Sequence, residues 1–141
     1  MTTAASNKLR ELILNQGVNL TSDVIYIILM VSGFSFNPGT MFQYSNVSAS
    51  ELGAGNGYTQ GGQALTGYAL AEDDTNMVVN ITWNSATWTA TGGTIGPTPG
   101  AILYDYTSAS KYVLGYIDFG GNQSQASGGI ATISNITLQL S

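Results

Sequence analysis

The run MVVNITWNSATW, residues 77–88, decides the fold. Met77, Val79, Ile81 and Trp83 fall on one side and Val78, Asn80, Thr82 and Asn84 on the other, the period of a half-buried strand. Trp88 lies five residues past Trp83, so it faces the opposite way unless the chain bulges or turns at Ser85 to Thr87. Upstream, EDDTN (72–76) is a cluster of turn formers, and GYTQGGQALTGYAL (57–70) precedes it. Gly61-Gly62 breaks the chain, after which Gln63 to Ala71 reads as a strand rich in small and aromatic residues. The block is therefore two strands joined by an acidic turn.

The chain of 141 residues suits one domain with a core of its own. Charged residues make up only 8% against 43% hydrophobic, so the surface must be built from Asn, Ser, Thr, Gln and Gly. Three basic residues face eight acidic ones, and the net charge of -5 argues against a nucleic-acid partner, which needs clustered Lys and Arg. Recruitment to a membrane through basic residues is disfavoured for the same reason. The longest apolar run, Val24 to Val31, is far short of a membrane span, and the N-terminus lacks the basic-then-apolar pattern of a signal peptide. Without cysteine there are no disulfides or thiol nucleophiles; without histidine the usual general base and zinc ligand are missing. The expectation is a protein with no cofactor and no enzymatic chemistry.

Residues 1–7, MTTAASN, are expected to form an N-terminal arm docked on a neighbouring subunit, with residues 8–141 as a single β-sandwich domain. With Ser6 or Asn7 as N-cap, the Leu9, Leu12 and Ile13 stripe predicts one short amphipathic helix, with Gly17 at its C-cap. That helix either plugs an end of its own core or packs on a partner. Val24 to Val31 is continuously apolar and should be a central strand covered on both faces. Ser32 to Asn56 reads as irregular, yet it carries Phe34, Phe36, Phe42 and Tyr44, which either cover an open edge of the sandwich or contact another subunit. Ala101 to Tyr106 and Tyr112 to Phe119 predict a hairpin, with Val113, Ile117 and Phe119 on one face and Tyr112, Leu114, Tyr116 and Asp118 on the other. A polar loop bracketed by Gly120-Gly121-Asn122 and Gly128-Gly129 leads to a last strand, Ile130 to Leu140, with a bulge near Ser134-Asn135. The sum is a mainly β chain, a two-layer β-sandwich or jelly roll of about seven to eight strands with one short N-terminal helix.

Several constellations have a chemical reading and a plainer one. Glu72, Asp73 and Asp74 could hold calcium, but the spacing fits no calcium loop and a solvated turn explains them. Asp105 and Asp118 are candidate glycosidase carboxylates on facing strands, with nothing local to raise either pKa. Trp83, Trp88 and the eight Tyr could form a flat sugar-stacking platform, or simply fill a core. The sequons at Asn19, Asn46, Asn80, Asn122 and Asn135 are what a chain rich in Asn, Ser and Thr contains by chance. GNGYTQGG lacks the Lys-Ser/Thr that completes a phosphate loop.

Five landmarks, in order, carry a resemblance: Lys8 to Leu14, Asp23 to Phe34, the GYTQGGQAL of Gly57 to Leu65, Trp88-Thr89-Ala90, and the GYIDFG of Gly115 to Gly120. Together the chain resembles a family of small tailed-phage virion proteins described as structural, head-fibre or capsid-decoration proteins. It departs from that pattern at TGGTIGPTPG (91–100), where a short link is expected. The resemblance implies a bacteriophage structural protein, most readily a decoration (cement) protein on the outer surface of the major-capsid shell, made in the bacterial cytoplasm and located on the virion. A tail, collar or head-fibre component, or a glycan-binding adhesin module, is the alternative. The implied partners are the major capsid protein and further copies of the chain, as a homotrimer; no nucleic acid or membrane is implied. The candidate interface comprises Met1, Thr2, Thr3, Phe34, Phe36, Phe42, Tyr44, Tyr104, Tyr106, Tyr112 and Tyr116.

Overall fold

In the computed structural model, which describes residues 2–141, the apolar run at Val24 to Val31 becomes a strand, Ile25–Leu29, buried on both faces. Ile25, Ile27 and Leu29 join one core with Trp83, Leu103, Ile117 and Ile136, while Ile28 and Met30 join a second with Ile102, Tyr104 and Tyr116. Burial on both sides is why this strand shows no alternation. In chain order the strands are β1 (Thr2–Ala5), β2 (Ile25–Leu29), β3 (Gln63–Ala64), β4 (Ala69–Asp73), β5 (Val78–Trp83), β6 (Ala86–Thr89), β7 (Ile95–Asp105), β8 (Val113–Gln125), β9 (Ile130–Ile133) and β10 (Ile136–Leu140). A five-stranded antiparallel sheet has the order β1-β8-β7-β2-β3. The facing layer is made of β10-β5-β4 and the pair β6-β9. The fold is thus a mainly β sandwich, with ten strands among the described residues rather than seven or eight.

The facing layer explains the two tryptophans. Trp83 pairs with Ile136 and Ala86 with Ile133, so Asn84-Ser85 and Ser134-Asn135 interrupt one long ribbon at the same level. Asn135 adopts φ 54 there. The bulge expected near Ser134-Asn135 and the turn expected at Ser85 to Thr87 are the two sides of this one kink, the latter a residue earlier. Because both strands re-aim together, Trp83 and Trp88 are both buried in the first core.

Glycine and proline mislead at three places. TGGTIGPTPG is no link into the next strand: from Ile95 it belongs to β7, with register shifts on either side of Thr98 where Pro97 and Pro99 supply no N–H to a ladder. Gly120-Gly121-Asn122 lies within β8, leaving only residues 126–129 as the turn. The strand expected from Gln63 to Ala71 is split into β3 and β4 around Gly67, at φ 73. The hairpin faces differ too, since Leu103 pairs with Gly115 and Tyr104 with Val113. The extra Leu114 is a bulge that puts Leu114 with Ile117 in the first core and Val113 with Tyr116 in the second.

Helix α1 (Leu9–Leu14) sends Leu9 and Leu12 into the first core, so it plugs an end of its own sandwich. Gln16, at φ 62, takes the left-handed position expected of Gly17, whose N–H bonds the Asn15 side chain at 3.0 Å. The N-terminal segment is not an arm detached from the domain: β1 pairs with β8 from Thr2 opposite Asp118 to Ala5 opposite Gly115. Met1 lies outside the described residues.

The second core exists because residues 31–51 cross the outer face of the large sheet. Phe34, Phe36, Met41, Tyr44 and Val47 pack onto it, and the segment includes a short helix, α2 (Tyr44–Val47), and a 3-10 turn at Ser48–Ser50 that sequence periodicity did not signal. Glu51 ends the crossing, only 4% exposed. Its Oε2 accepts the Tyr44 O–H at 2.5 Å, and its Oε1 accepts the Tyr58 O–H at 2.7 Å and the Gly61 N–H at 2.6 Å.

Replacing Ile27 or Ile28 by Asp tests the doubly covered strand. Either change buries an unpaired charge at a cost of several kcal/mol, about the whole stability of a domain. Both variants should give insoluble or unfolded protein by circular dichroism, and a soluble, cooperatively melting product from either would refute the assignment.

Candidate functional site: the open edge of the large sheet

Strand β1 is the last strand of its sheet, and among the described residues no strand pairs with its outer side, although β10 runs close by. The Ser6 N–H donates to the Leu114 carbonyl at 2.8 Å. Since inward and outward bonding alternate along an antiparallel strand, Ala4 and Thr2 also bond β8, and the N–H and C=O groups of Thr3 and Ala5 point away from it. Beside this edge lies a groove of about 300 Å³ lined by Thr2, Thr3, Ala4, Phe34, Phe36 and Tyr116, with Asp118 its one charged group. Tyr116 holds the two phenylalanines, 5.5 Å from Phe34 edge-on and 5.6 Å from Phe36. Burial, with the nearby Asp118 charge adding, pushes the Tyr116 phenol up to about 12, so the groove floor stays neutral.

Five of the candidate interface residues, Thr2, Thr3, Phe34, Phe36 and Tyr116, therefore meet in one place, although 80 or more positions separate the last from the rest. The other described candidates do not join them. Tyr44 and Tyr104 stack on each other at 4.8 Å inside the second core, and Tyr104 is 2% exposed with its O–H donated to the Gly61 carbonyl at 2.8 Å. They serve the protein's own packing, which corrects the expectation that both belong to a contact surface. Phe42 is half-buried under the Lys8 ammonium, and Tyr112 packs on the first core. Tyr106 is exposed, stacked on Tyr26 at 4.2 Å with the Lys111 ammonium 3.9 Å above its ring.

The carboxylates have other work. Asp73 folds the EDDTN turn by accepting the N–H groups of Thr75 and Asn76 and the Asn76 amide, which hold its carboxyl below the ordinary value. Among the described residues no group of three or more His, Cys, Asp or Glu could hold a metal. Asp118 faces Gly100, five positions along β7 from Asp105, roughly 16 Å at strand spacing and too far for two carboxylates to share a glycosidic bond. Trp83 and Trp88 are buried, so they form no flat platform. No family model, curated protein or solved structure matches the chain.

What the edge offers is a row of backbone donors and acceptors with an aromatic recess carrying a single carboxylate alongside, the equipment for pairing with a strand of another molecule. Sequence reasoning missed β1 because TTAA has neither alternation nor β-branched bulk beyond its threonines. It missed Glu51 because a lone acid in a Gly- and Ser-rich stretch looks solvated.

One buried acid gives a pH signature. Asp105 is fully buried; its Oδ1 accepts the N–H groups of Thr107 and Ser108, while its Oδ2 meets no donor and faces Asp23. Two carboxyls in that position need a shared proton. Burial, with Asp23 adding, raises Asp105 from 3.8 to about 6. The fold thus favours the protonated form, and its contribution, complete below about pH 4, is lost as pH rises through about 6. Asp105→Asn keeps the acceptor and supplies a permanent donor to Asp23. Relative to wild type, this variant should gain roughly 1–3 kcal/mol between pH 4 and 7 in urea denaturation. A difference that does not change with pH would show that the pair shares no proton.

Proposed function

We propose that the chain is a structural component of a bacteriophage virion, a decoration (cement) protein that attaches to the outer surface of an assembled major-capsid shell and stabilises it. One observation carries this reading beyond the sequence resemblance: the unpaired β1 edge and the Phe34, Phe36 and Tyr116 groove form a single surface suited to assembly. A partner strand pairing with Thr3 and Ala5 would satisfy their free backbone groups, and apolar surface buried in the groove would contribute roughly 25 cal/mol per Å² before association costs. The low charge of the chain lets copies crowd together without strong repulsion. The partners in this reading are the major capsid protein and two further copies of the chain, a homotrimer seated where capsid subunits meet in threes.

Thr3→Pro separates this role from folding. It removes an outward N–H and leaves the β8 ladder intact, so the variant should melt like wild type yet occupy the particle poorly. Cryo-electron microscopy of virions carrying each form should show trimers on the shell for wild type and reduced density for Thr3→Pro. Density confined to the tail or collar, a strictly monomeric protein in light scattering, or full occupancy by the variant would overturn the proposal.

A further inference from the structure

A second recess lies on the opposite face of the β7-β8 hairpin. It is a cleft of about 330 Å³, open to solvent, between the Ile95 to Thr98 end of β7, the Phe119 to Gln125 half of β8, and residues 131–134. Its floor is apolar: Trp88, Leu29, Ile95 and Ile133, with the half-buried Phe119 at the side. Its polar lining is Thr98, Gln123, Ser124, Gln125, Thr132 and Ser134, and no charged residue is among them. Trp88 is 6% exposed, so its ring forms the bottom of a cleft instead of a platform.

Two features point to a ligand class. The first is electrical neutrality. A charged ligand entering this cleft would lose hydration and meet no counter-charge. The second is the state of the rim. Among the described residues, the side chains of Gln123, Ser124, Thr132 and Ser134 make no hydrogen bond, and the Gln125 amide meets only the adjacent Ala126 carbonyl at 3.4 Å. Amides and hydroxyls both donate and accept, so the rim offers paired donors and acceptors above an apolar, aromatic base. A purely apolar ligand would strip water from that rim without replacing its bonds. A ligand with an apolar C–H face and a ring of hydroxyls satisfies both parts, and the cleft lies at the small end of the range for ligand pockets. Most of the walls are strands, which hold such groups in fixed positions.

We infer that this cleft is a binding site for one or two rings of an uncharged saccharide. The inference is independent of capsid attachment, since the cleft shares no residue with the groove beside β1. Saturation-transfer NMR and indole ¹⁵N–¹H shifts of the full chain should be recorded with neutral probes: maltotriose, cellotriose, chitotriose and lactose. Sialyllactose and a sulfated disaccharide serve as charged counterparts. At least one neutral probe should bind and shift the Trp88 indole signal while leaving that of Trp83 in place, and the charged probes should bind more weakly. Gln123→Ala, at an exposed position, should weaken binding about three- to tenfold, the loss of one hydrogen bond, and Thr132→Trp, which fills the cleft, should abolish it. No binding by any neutral probe, binding that both variants leave unchanged, or equal binding of the charged probes would overturn the inference.

Discussion

Glu51 is the constraint on which this structure depends. A β-sandwich needs only one buried face per sheet, yet the large sheet here is apolar on both, and its outer face must be covered by a segment with little regular structure. Glu51 fixes that segment at one point. It collects Tyr44 from the crossing segment, Tyr58 and the Gly61 N–H from the stretch that follows, and through the Tyr58 oxygen, which accepts the Leu29 N–H at 3.1 Å, it reaches β2 itself. Each bond to a charged acceptor contributes about 1.5–3 kcal/mol, and burial keeps water from competing. Burial, then the bond to Glu51, drives the phenols of Tyr44 and Tyr58 far above their ordinary value, so both remain donors at any physiological pH. At Gly62, φ 78, a Cβ would collide with the Ile27 carbonyl, so only glycine lets this stretch lie against β2.

The surfaces proposed to act are consequences of that arrangement. With the outer face covered, Phe34 and Phe36 are set beside Tyr116 next to β1, an end strand of the large sheet. On the inner face, the shared kink at Asn84-Ser85 and Ser134-Asn135 turns β6 and β9 so that Trp88 and Ile133 form the floor of the neutral cleft. The groove beside β1 and the neutral cleft thereby lie on opposite faces of the β7-β8 hairpin and share no lining residue.

Much of this was legible in the sequence, for stated reasons. The alternation read from Met77 to Trp83 located β5, with Met77 itself exposed ahead of the strand, and the unbroken run at Val24 to Val31 gave the doubly buried strand Ile25–Leu29, with Val24 exposed before it, since side-chain period reports burial directly. The kink was visible as Ile133 falling out of step with Ile136 and Leu138. Illegible parts were those where local chemistry and tertiary position disagree. Pro97, Pro99 and Gly120 to Asn122 look like loops but are held in long strands by the pairing partner across the hairpin. Tyr44 and Tyr104 look like exposed aromatics of an interface until the crossing segment is seen to fold over them. At the groove, the meeting of Phe34, Phe36 and Tyr116 with Thr2 and Thr3 was not legible, because it rests on a four-residue strand with no pattern of its own.

Amide hydrogen exchange tests the central claim most directly. If Glu51 pins residues 31–62 to the sheet, the amides of Leu29, Val31 and Gly61 exchange in wild type only with global unfolding. In Glu51→Ala they should exchange roughly tenfold or more faster by local opening, while Ile102 and Leu103 in β7 keep their protection. Unchanged protection of residues 31–62 in Glu51→Ala would contradict the account.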